Sequence, residues 1–276
     1  MSAKQTILVI GATGKQGGAV IRSLDKSKYR IIAATRDASS EKSKSLGVDL
    51  VEGSLEEPDS LFKEPIDGLF FALGSQDPDE QLKQGLAIIE AAEKHKVKHI
   101  VYSGSDSSGI EHTGIPFFDI KREIEKFIKS KTNLIKWTIL SPVGFMENFY
   151  WQLYLDQVST TWKDNYEKHK IYKLITVEDI GKIVSESFEK PEKFNEKHLN
   201  IVGDEKTPDQ IIEIWKQVTG KELKANQTPI FPPGLDVAFQ FFIDHQFEAD
   251  LEENRRLFPW LTDFKSWLEK TPFAKK

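Results

Sequence analysis

The feature that most constrains this chain is a glycine-rich turn directly after its first apolar run. Residues 7–10 are four consecutive apolar side chains, too few for a helix and typical of a strand buried on both faces. Gly11, Gly14 and Gly17 follow at three-residue spacing, and an amphipathic helix is predicted over residues 15–24. Strand, turn and helix in this order predict a phosphate cradle, in which bare backbone and helix N–H groups face the anion. The alternative is a glycine-rich loop that only joins a strand to a helix.

Size and hydrophobic content set outer bounds on the architecture. The 276 residues are 39% hydrophobic and 29% charged, which suits a soluble globular protein with one main domain and a smaller appendage. No apolar run approaches the roughly 18 residues of a membrane span, and the N-terminus lacks the apolar core of a signal peptide. We therefore expect a cytoplasmic or nuclear protein that has no contact with a membrane.

Charge, cysteine and histidine content exclude several kinds of function. The formal net charge of -5 gives no reason to expect nucleic acid as a direct partner. The chain has no cysteine, which excludes disulfides, thiol nucleophiles and thiolate metal sites. Its six histidines show no metal-ligand spacing, so no metal site is expected.

Short apolar runs alternate with helical segments, which predicts an α/β fold with a doubly wound parallel sheet covered on both faces. Further strands are expected at residues 30–34, 48–51, 66–73 and 99–102. Helices are expected from Pro58 and over residues 79–95 and 116–128. The helix over residues 79–95 is predicted to bury Leu82, Leu86, Ile89 and Ala92.

The same alternation suggests how the chain divides into domains. Residues 1–150 are expected to form the sheet domain, and residues 171–190 and 197–202 are expected to complete its sheet. Residues 151–276 are expected to form a smaller mixed α/β lobe over the cleft, interleaved with the sheet.

The residues after the second strand decide which dinucleotide is expected. Thr35, Arg36 and Asp37 follow this strand, with Lys42 and Lys44 close behind. An acidic side chain here would accept hydrogen bonds from the adenosine ribose hydroxyls, whereas an arginine pairs with a 2'-phosphate through its planar guanidinium. Arg36 comes first, which favours NADP(H) over NAD(H). Asp37, in contrast, fits NAD(H). The alternative for Arg36 is an ordinary surface arginine whose charge is solvated.

Loops leave the next strands at their carboxyl ends, on the side where such sheets bind ligands. Ser54 and Leu55 follow the third strand and would flank the adenine. The loop after the fourth strand would flank the central ribose, and its residues are Leu73, Gly74 and Ser75.

Two polar residues further along the chain leave alternatives open. Ser103, after the fifth strand, either contacts the nicotinamide end of a dinucleotide or caps its own turn. The helix predicted over residues 116–128 has an apolar face formed by Phe117, Ile120, Ile124 and Phe127. Lys121 lies beside that face. A lysine at a helix edge is usually solvated, and a chemical role is the alternative.

Motifs spread over nearly the whole chain carry a resemblance to a known family. They are residues 11–18, 35–37, 102–104, 118–121, 141–149, 176–181 and 218–221 and the ending 258–273. On these residues the chain resembles the NmrA-like family, whose members are atypical short-chain dehydrogenases/reductases. The opening turn is shared by many relatives, whereas the Glu147-Asn148 pair and the ending are more specific.

The resemblance implies a Rossmann domain that binds NADP(H) and a small C-terminal lobe that forms a cleft over the nicotinamide. It implies that Lys121 hydrogen-bonds the nicotinamide ribose. The nicotinamide end would be lined by residues after the sixth strand, namely Pro142, Val143, Phe145 and Asn148. The opening turn would contact the dinucleotide through Gly11, Thr13, Gly14, Lys15, Gln16 and Gly17.

Two departures from the pattern of these reductases bear on activity. Short-chain reductases use a Tyr-x-x-x-Lys pair in which the phenol is the proton donor, but four residues before Lys121 stands Phe117. A Tyr-x-x-x-Lys spacing does occur at Tyr166 and Lys170, in a charged stretch where it is interpreted as coincidence. Ser141 stands where many relatives have arginine.

These departures leave two functions open. One is a redox or cofactor sensor that binds NADP(H), has weak or no turnover and acts on a regulatory protein partner. The other is an NADPH-dependent oxidoreductase of a quinone, enone or other small carbonyl compound, in which Lys121 is the catalytic residue. The missing tyrosine favours the sensor.

The C-terminal part of the sequence is rich in aromatic residues. Its first group consists of Trp151, Tyr154, Trp162 and Tyr166. Such a group suits the edge of a substrate site or a partner surface, but more often it forms a packed core. A break at residues 231–234 precedes a second group, which would roof the cleft or bury itself against a partner protomer and consists of Phe239, Phe241, Phe242 and Phe247. A monomer or a homodimer is compatible with either arrangement.

Overall fold

The computed structural model describes residues 4–74, 77–131, 135–159, 171–223 and 235–275. The strands are β1 Gln5–Ile10, β2 Tyr29–Thr35, β3 Asp49–Glu52, β4 Gly68–Phe71, β5 His99–Ser103, β6 Lys136–Pro142, β7 Gly144–Phe145, β8 Tyr172–Ile175, β9 Lys197–Ile201 and β10 Asp204–Lys206. The α-helices are α1 Lys15–Ser23, α2 Glu41–Lys44, α3 Pro78–Lys94, α4 Pro116–Ser130, α5 Gln152–Ser159, α6 Val177–Glu189, α7 Pro191–Phe194, α8 Pro208–Thr219, α9 Leu235–Asp244, α10 Leu251–Leu257 and α11 Phe264–Leu268. Pro58–Leu61 and Met146–Tyr150 are 3-10 helices. Among the described residues, no helix combines the length and the apolar character needed to cross a bilayer.

The main sheet has seven strands in the order β3-β2-β1-β4-β5-β6-β9. Strand pairing is parallel from β3 through to β6. The order of the strands reverses between β1 and β4, so the chain leaves these two neighbours in opposite directions and opens a crevice at their carboxyl ends. The predicted doubly wound α/β sheet is confirmed.

The chain divides into two compact units. The large unit comprises Met1–Ser105, Glu111–Ser141 and Ile180–Leu199, and the small unit comprises Asp106–Ile110, Pro142–Asp179 and Asn200–Lys276. After the short segment Asp106–Ile110, the chain enters the small unit again at Pro142, before the expected boundary at residue 150.

The expectation that residues 171–190 complete the main sheet is wrong for their strand. β8 instead pairs with β7 in parallel and with β10 in antiparallel fashion, which gives the small unit its own three-stranded sheet. The apolar run of β8 suits either sheet, so the sequence alone does not distinguish them. β9, from the expected segment 197–202, does join the main sheet.

The core of the large unit packs the main sheet against α3 and α4, and the predicted inner face of α3 is confirmed in part. Ile89 and Ala92 are buried as predicted and Leu82 packs against the core, but Leu82 and Leu86 are only half-buried; the buried positions of α3 are Gln81, Gly85, Ile88, Ile89, Ala91 and Ala92. At Gly85 the helix lies close to α4, because a Cβ atom there would lie 2.6 Å from Ile124 Cδ1. The missing side chain lets the two helices approach closely at this point.

The buried face of α4 also differs from the predicted one. Phe117 was expected in the core but is 46% exposed, whereas Phe118 is 1% exposed. The buried face includes two charged residues, Lys121 and Glu125, beside Ile124 and Ile128. Counting apolar residues alone assigns such charged positions to the surface, which displaced the predicted face by one residue.

The small unit has a separate aromatic core. Phe149, Tyr154 and Trp267 are buried in it, together with Met146, Val158, Tyr172, Leu174, Ile211, Trp215, Leu223, Phe264 and Leu268. Tyr154 is therefore a core residue as predicted, but Trp151 is 57% exposed. Trp162, Tyr166, Lys170 and residues 231–234 lie outside the described residues, as do the side chains of Phe239 and Phe242; Phe241 is buried and Phe247 half-buried.

Candidate functional site

The turn after β1 requires glycine at two positions. Gly11 has a φ of +78°, and a Cβ atom there would lie 2.8 Å from the carbonyl oxygen of Ala72 at the end of β4. A Cβ atom on Gly17 would lie 2.2 Å from the carbonyl oxygen of Gly11. The Gly14 N–H donates to that same oxygen at 2.9 Å, which closes the turn. The turn thus lies at the crevice between β1 and β4, with its backbone packed too tightly for side chains.

The N-terminus of α1 has the properties of an anion site. Gly14 is its N-cap and offers no side-chain hydrogen bond, and the first turn of the helix contains no acidic residue. Backbone N–H groups of a first turn lack partners within the helix, and the helix dipole favours negative charge there. Around this end, Lys15 is exposed, and Thr13 and Gln16 are half-buried.

Ser103 connects this turn to the next part of the crevice. Its buried hydroxyl donates a hydrogen bond of 2.7 Å to Gln16 Oε1 in the first turn of α1. The side chain therefore links the carboxyl end of β5 to the helix that follows the glycine turn. Neither of the two roles expected from the sequence includes this contact.

A pocket of about 390 Å³ opens beside the carboxyl ends of β2 and β3, and is lined by Arg36, Glu52, Gly53, Ser54, Glu57 and Ser60. Arg36 is exposed and forms no ion pair with any residue in the described ranges. Its guanidinium is thus available to an anionic ligand, although two carboxylates share the pocket. One of these, Glu52, accepts a hydrogen bond of 2.8 Å from the Ala38 N–H.

Asp37, the acidic competitor to Arg36, is engaged in its own loop. Its carboxylate accepts hydrogen bonds from the Ser39 hydroxyl at 2.6 Å and from the Ser39 N–H at 2.8 Å. These bonds lower the pKa of Asp37. Asp37 therefore takes part in the turn after β2.

The other residues expected near the adenosine and the ribose have mixed surroundings. Leu55 and Leu73 are half-buried and pack against the core of the large unit. Gly74 is exposed, and a Cβ atom there would meet nothing within 4 Å. Ser75 lies outside the described residues.

Lys121 is buried on α4, with 8% of its surface exposed. Its ammonium lies 3.9 Å from the centroid of the Phe117 ring, a cation–π contact. Burial lowers the pKa of Lys121 to about 8, and the nearby Glu125 opposes this shift. No hydrogen bond joins Lys121 to the other residues that the structure describes. A lysine in this state exchanges protons near neutral pH, which makes Lys121 a candidate for acid–base chemistry.

The four residues expected at the nicotinamide end belong to the small unit. Pro142 and Val143 are buried, and Phe145 and Asn148 are half-buried. Their neighbour Glu147 is buried, and its carboxylate accepts hydrogen bonds from the Thr176 hydroxyl, the Val177 N–H and the Trp267 indole N–H. The Glu147-Asn148 pair thus contains a residue that organises the small unit internally.

The sequence did not single out several residues that the structure places beside the expected ones. Glu52, Glu57 and Ser60 line the pocket with Arg36, and Glu125 lies one helical turn after Lys121. Glu52 ends β3, so the rule that ligands lie at the carboxyl ends of parallel strands already pointed to it. No sequence signal identifies Glu125, since a glutamate on a helix is usually solvated. Within the described ranges, no group of three His, Asp or Glu side chains is placed to hold a metal ion.

Strand order 3-2-1-4-5-6 in the main sheet, with a glycine turn and an uncapped helix at the crossover, defines a Rossmann-type dinucleotide fold. The chain belongs to the NmrA-like family, whose model matches residues 3–271. The resemblance drawn from the sequence is thereby confirmed.

Curated relatives and solved structures are similar to most of the chain. An NmrA-like family domain-containing protein of Dictyostelium discoideum is 27% identical over 238 residues, which cover 79% of this chain and 78% of that protein. The NmrA-like oxidoreductase FrzB of Cladobotryum sp. is 28% identical over 260 residues, covering 82% and 76%.

Two solved structures share the fold at lower identity. NmrA, a negative transcriptional regulator, in complex with NADP has a TM-score of 0.77 at 17% identity, covering 98% of this chain and 96% of NmrA. Citrobacter sp. triphenylmethane reductase complexed with NADP(H) has a TM-score of 0.75 at 22% identity, covering 96% and 99%.

Proposed function

We propose that the protein binds NADP(H) at the carboxyl edge of its main sheet. Two features of the large unit together carry this proposal. One is a helix N-terminus without a side-chain cap directly after the glycine turn. The other is the pocket that contains Arg36, whose guanidinium forms no ion pair with the described residues. The first suits a diphosphate, and the second suits a 2'-phosphate. Complexes of NmrA with NADP and with NAD, and of triphenylmethane reductase with NADP(H), support the proposal.

The proposed contacts follow the dinucleotide along the sheet edge. The diphosphate would meet the opening turn, at Gly11, Thr13, Gly14, Lys15, Gln16 and Gly17. The adenosine half would meet Arg36, Ser54 and Leu55, and the central ribose would meet Leu73, Gly74 and Ser75. Ser103 and Lys121 are assigned to the nicotinamide ribose, where Lys121 has hydrogen-bond donors to offer. The role proposed at the nicotinamide end rests on the family resemblance and concerns Pro142, Val143, Phe145 and Asn148.

We propose that the protein uses this site as a redox or cofactor sensor with weak or no turnover. Phe117 takes the position of the proton-donating tyrosine, and its ring lies against Lys121 without any group to deliver a proton. Occupancy or redox state of the dinucleotide would then act on a regulatory protein partner. NmrA, a negative transcriptional regulator, gives the fold a precedent for such a role.

One observation favours the second candidate, an NADPH-dependent reductase of a quinone, enone or other small carbonyl compound. The pKa of Lys121 is lowered to about 8, so the ammonium is itself a competent proton donor near neutral pH. In this function the dinucleotide supplies the hydride, and Lys121 holds the proton that the reduced oxygen requires. The oxidoreductase FrzB and triphenylmethane reductase are the corresponding precedents.

Calorimetry on the cofactor-stripped protein with NADP, NADPH, NAD and NADH tests the binding proposal. Preference for the phosphorylated pair supports it, and no binding of any of the four overturns it. The same protein is then mixed with NADPH and a panel of quinones, enones and aldehydes. The sensor predicts no steady NADPH oxidation. Steady oxidation that is abolished in Lys121→Ala, at unchanged NADPH affinity, would establish the reductase instead.

A further inference from the structure

Lys121 and Glu125 lie on the same buried face of α4. Residues four apart on a helix are neighbours, with Cβ atoms about 5–6 Å apart. Helix side chains lean toward the N-terminus, and the Lys121 ammonium accordingly lies over the Phe117 ring, one turn earlier on α4. Lys121 and Glu125 are therefore buried neighbours of opposite charge on one helix face, where water screens their interaction little, although no direct ion pair joins them among the described residues.

The Glu125 carboxylate is held in place from three sides. Arg122 Nη1 lies 3.0 Å from Oε2, and the Ser141 hydroxyl lies 3.4 Å from Oε1. The backbone of Gly104 closes the third side, since a Cβ atom there would lie 2.8 Å from Oε1. Glu125 thus sits directly against the loop that follows β5 and Ser103. Its position leaves no room for a carboxylate that swings freely.

Other titratable groups surround this carboxylate. Arg122 and Lys129 face it from α4, Tyr102 from β5 and His198 from β9. His198 Nε2 lies 2.7 Å from the Ser141 hydroxyl and 3.8 Å from Glu125 Oε2. Burial lowers the pKa of His198 to about 4, so His198 is neutral near pH 7 and adds no charge to the cluster.

We propose that Glu125 is a positioning residue for Lys121: its fixed carboxylate holds the buried ammonium in its charged form and on the inner face of α4. The proposal rests on the proposed function, in which Lys121 is the group that meets the nicotinamide ribose. A charged Lys121 has three N–H donors and a transferable proton, whereas a neutral one has two N–H donors and one acceptor lone pair. Glu125 therefore affects whether Lys121 carries a transferable proton at physiological pH.

The opposing effects on Lys121 make this dependence measurable. Burial lowers the pKa of Lys121, and the Glu125 charge raises it. Burial also raises the pKa of Glu125, while Arg122 stabilises its charged form. Removing the Glu125 charge would leave only the effect of burial, and Lys121 would lose its proton at a lower pH.

The experiment is an NMR titration of protein labelled with [ε-13C]lysine between about pH 4 and pH 11, a window that spans the ordinary glutamate and lysine pKa values. Lys121→Arg identifies the Lys121 signal. The Glu125→Gln variant is expected to lower the Lys121 midpoint by about one pH unit or more. Glu123→Gln, an exposed carboxyl on the same helix, is the matched control and leaves the midpoint unchanged. An unchanged midpoint in folded Glu125→Gln overturns the proposal.

A second readout on the unaltered protein covers the case in which Glu125→Gln does not fold. Protonation of Glu125 is expected to move the Lys121 signal in a second, smaller step, at a pH above the ordinary glutamate range. Absence of this step overturns the proposal. Glu125→Asp, which keeps the charge, is expected to restore most of the wild-type midpoint. Calorimetry with NADP on the same samples distinguishes failure of this proposal from failure of the proposed function. If NADP still binds but the Lys121 midpoint does not shift, only the role of Glu125 is rejected.

Discussion

The Ser103 hydroxyl donates a hydrogen bond of 2.7 Å to Gln16 Oε1, and the bond joins the end of β5 to the first turn of α1. Ser103 ends β5 and Gln16 follows the glycine turn, both at the carboxyl edge of the main sheet. The bond ties the first turn of α1 to β5, which is two strands away from β1. It therefore helps to fix the proposed anion site, which reduces the ordering that binding requires.

Ser103→Ala is expected to lower the free energy of unfolding by about 1 kcal/mol, because a buried donor is lost and Gln16 Oε1 loses its partner. Urea unfolding followed by circular dichroism measures the difference. Ser105→Ala is the control, since Ser105 is half-buried and makes no hydrogen bond through its hydroxyl within the described ranges. Equal midpoints for the two variants would show that the Ser103–Gln16 bond contributes nothing.

Gly17→Ala is expected to destabilise the protein by roughly 1–3 kcal/mol. The added Cβ atom would lie 2.2 Å from the Gly11 carbonyl oxygen, and the turn has no flexible side chain that can move aside. Thermal unfolding of Gly17→Ala beside Gly74→Ala tests this, because a Cβ atom on Gly74 meets nothing within 4 Å. A loss of stability in Gly74→Ala as large as that in Gly17→Ala would contradict the steric explanation.

Arg36→Ala is expected to weaken NADP(H) binding by roughly 1.5–3 kcal/mol, about 10- to 150-fold, and to leave NAD(H) nearly unchanged. The reason is that the guanidinium, unpaired among the described residues, is proposed to pair with the 2'-phosphate, which NAD(H) lacks. Calorimetry with both dinucleotides measures the ratio. Arg256→Ala, which removes an exposed arginine of the small unit, is the charge-matched control. Equal losses for the two cofactors would remove Arg36 from the selection.

The sequence predicts the large unit well because its strands are short apolar runs and its opening turn has steric reasons for glycine at positions 11 and 17. The sequence does not predict the inner face of α4 correctly, because Lys121 and Glu125 are buried there and a helical pattern based on apolar residues leaves charged residues out.

The fold of the small unit is harder to predict from the sequence. β7 has only two residues, Gly144–Phe145, too few for any periodicity, and without β7 nothing in the sequence assigns β8 to the second sheet.

The candidate site divides in the same way. The turn, Arg36 and Lys121 are found from motifs and from the positions where strands end. Glu52, which shares the Arg36 pocket, lies at the end of β3 and so falls under the same rule. Glu125 does not, because its contacts depend on which side chains the fold brings next to it. The hydrogen bonds between Asp37 and Ser39 are likewise visible only in the structure.

Stability between pH 8 and pH 10.5 is expected to report the burial of Lys121. Its pKa falls from 10.5 to about 8 in the folded protein, so the unfolded chain binds more protons in that window and stability rises with pH. The penalty below pH 8 amounts to at most about 3 kcal/mol. Urea unfolding measures the free energy of unfolding of wild type and Lys121→Met across this window. As pH rises, the value for the wild type is expected to increase relative to that for the variant. A constant difference would contradict a lowered pKa.

Glu147→Gln is expected to destabilise the small unit by about 1–3 kcal/mol. The carboxylate accepts from Thr176, Val177 and Trp267, and an amide cannot accept from all three donors, because one of its two positions is itself a donor. The buried N–H group that faces this amide nitrogen then has no acceptor. Urea unfolding followed by tryptophan fluorescence reports the change, since Trp215 and Trp267 lie in the core of this unit. Glu269→Gln, an exposed carboxyl just after α11, is the control, and a loss in Glu147→Gln no larger than in that control would show that the three hydrogen bonds do not hold the unit together.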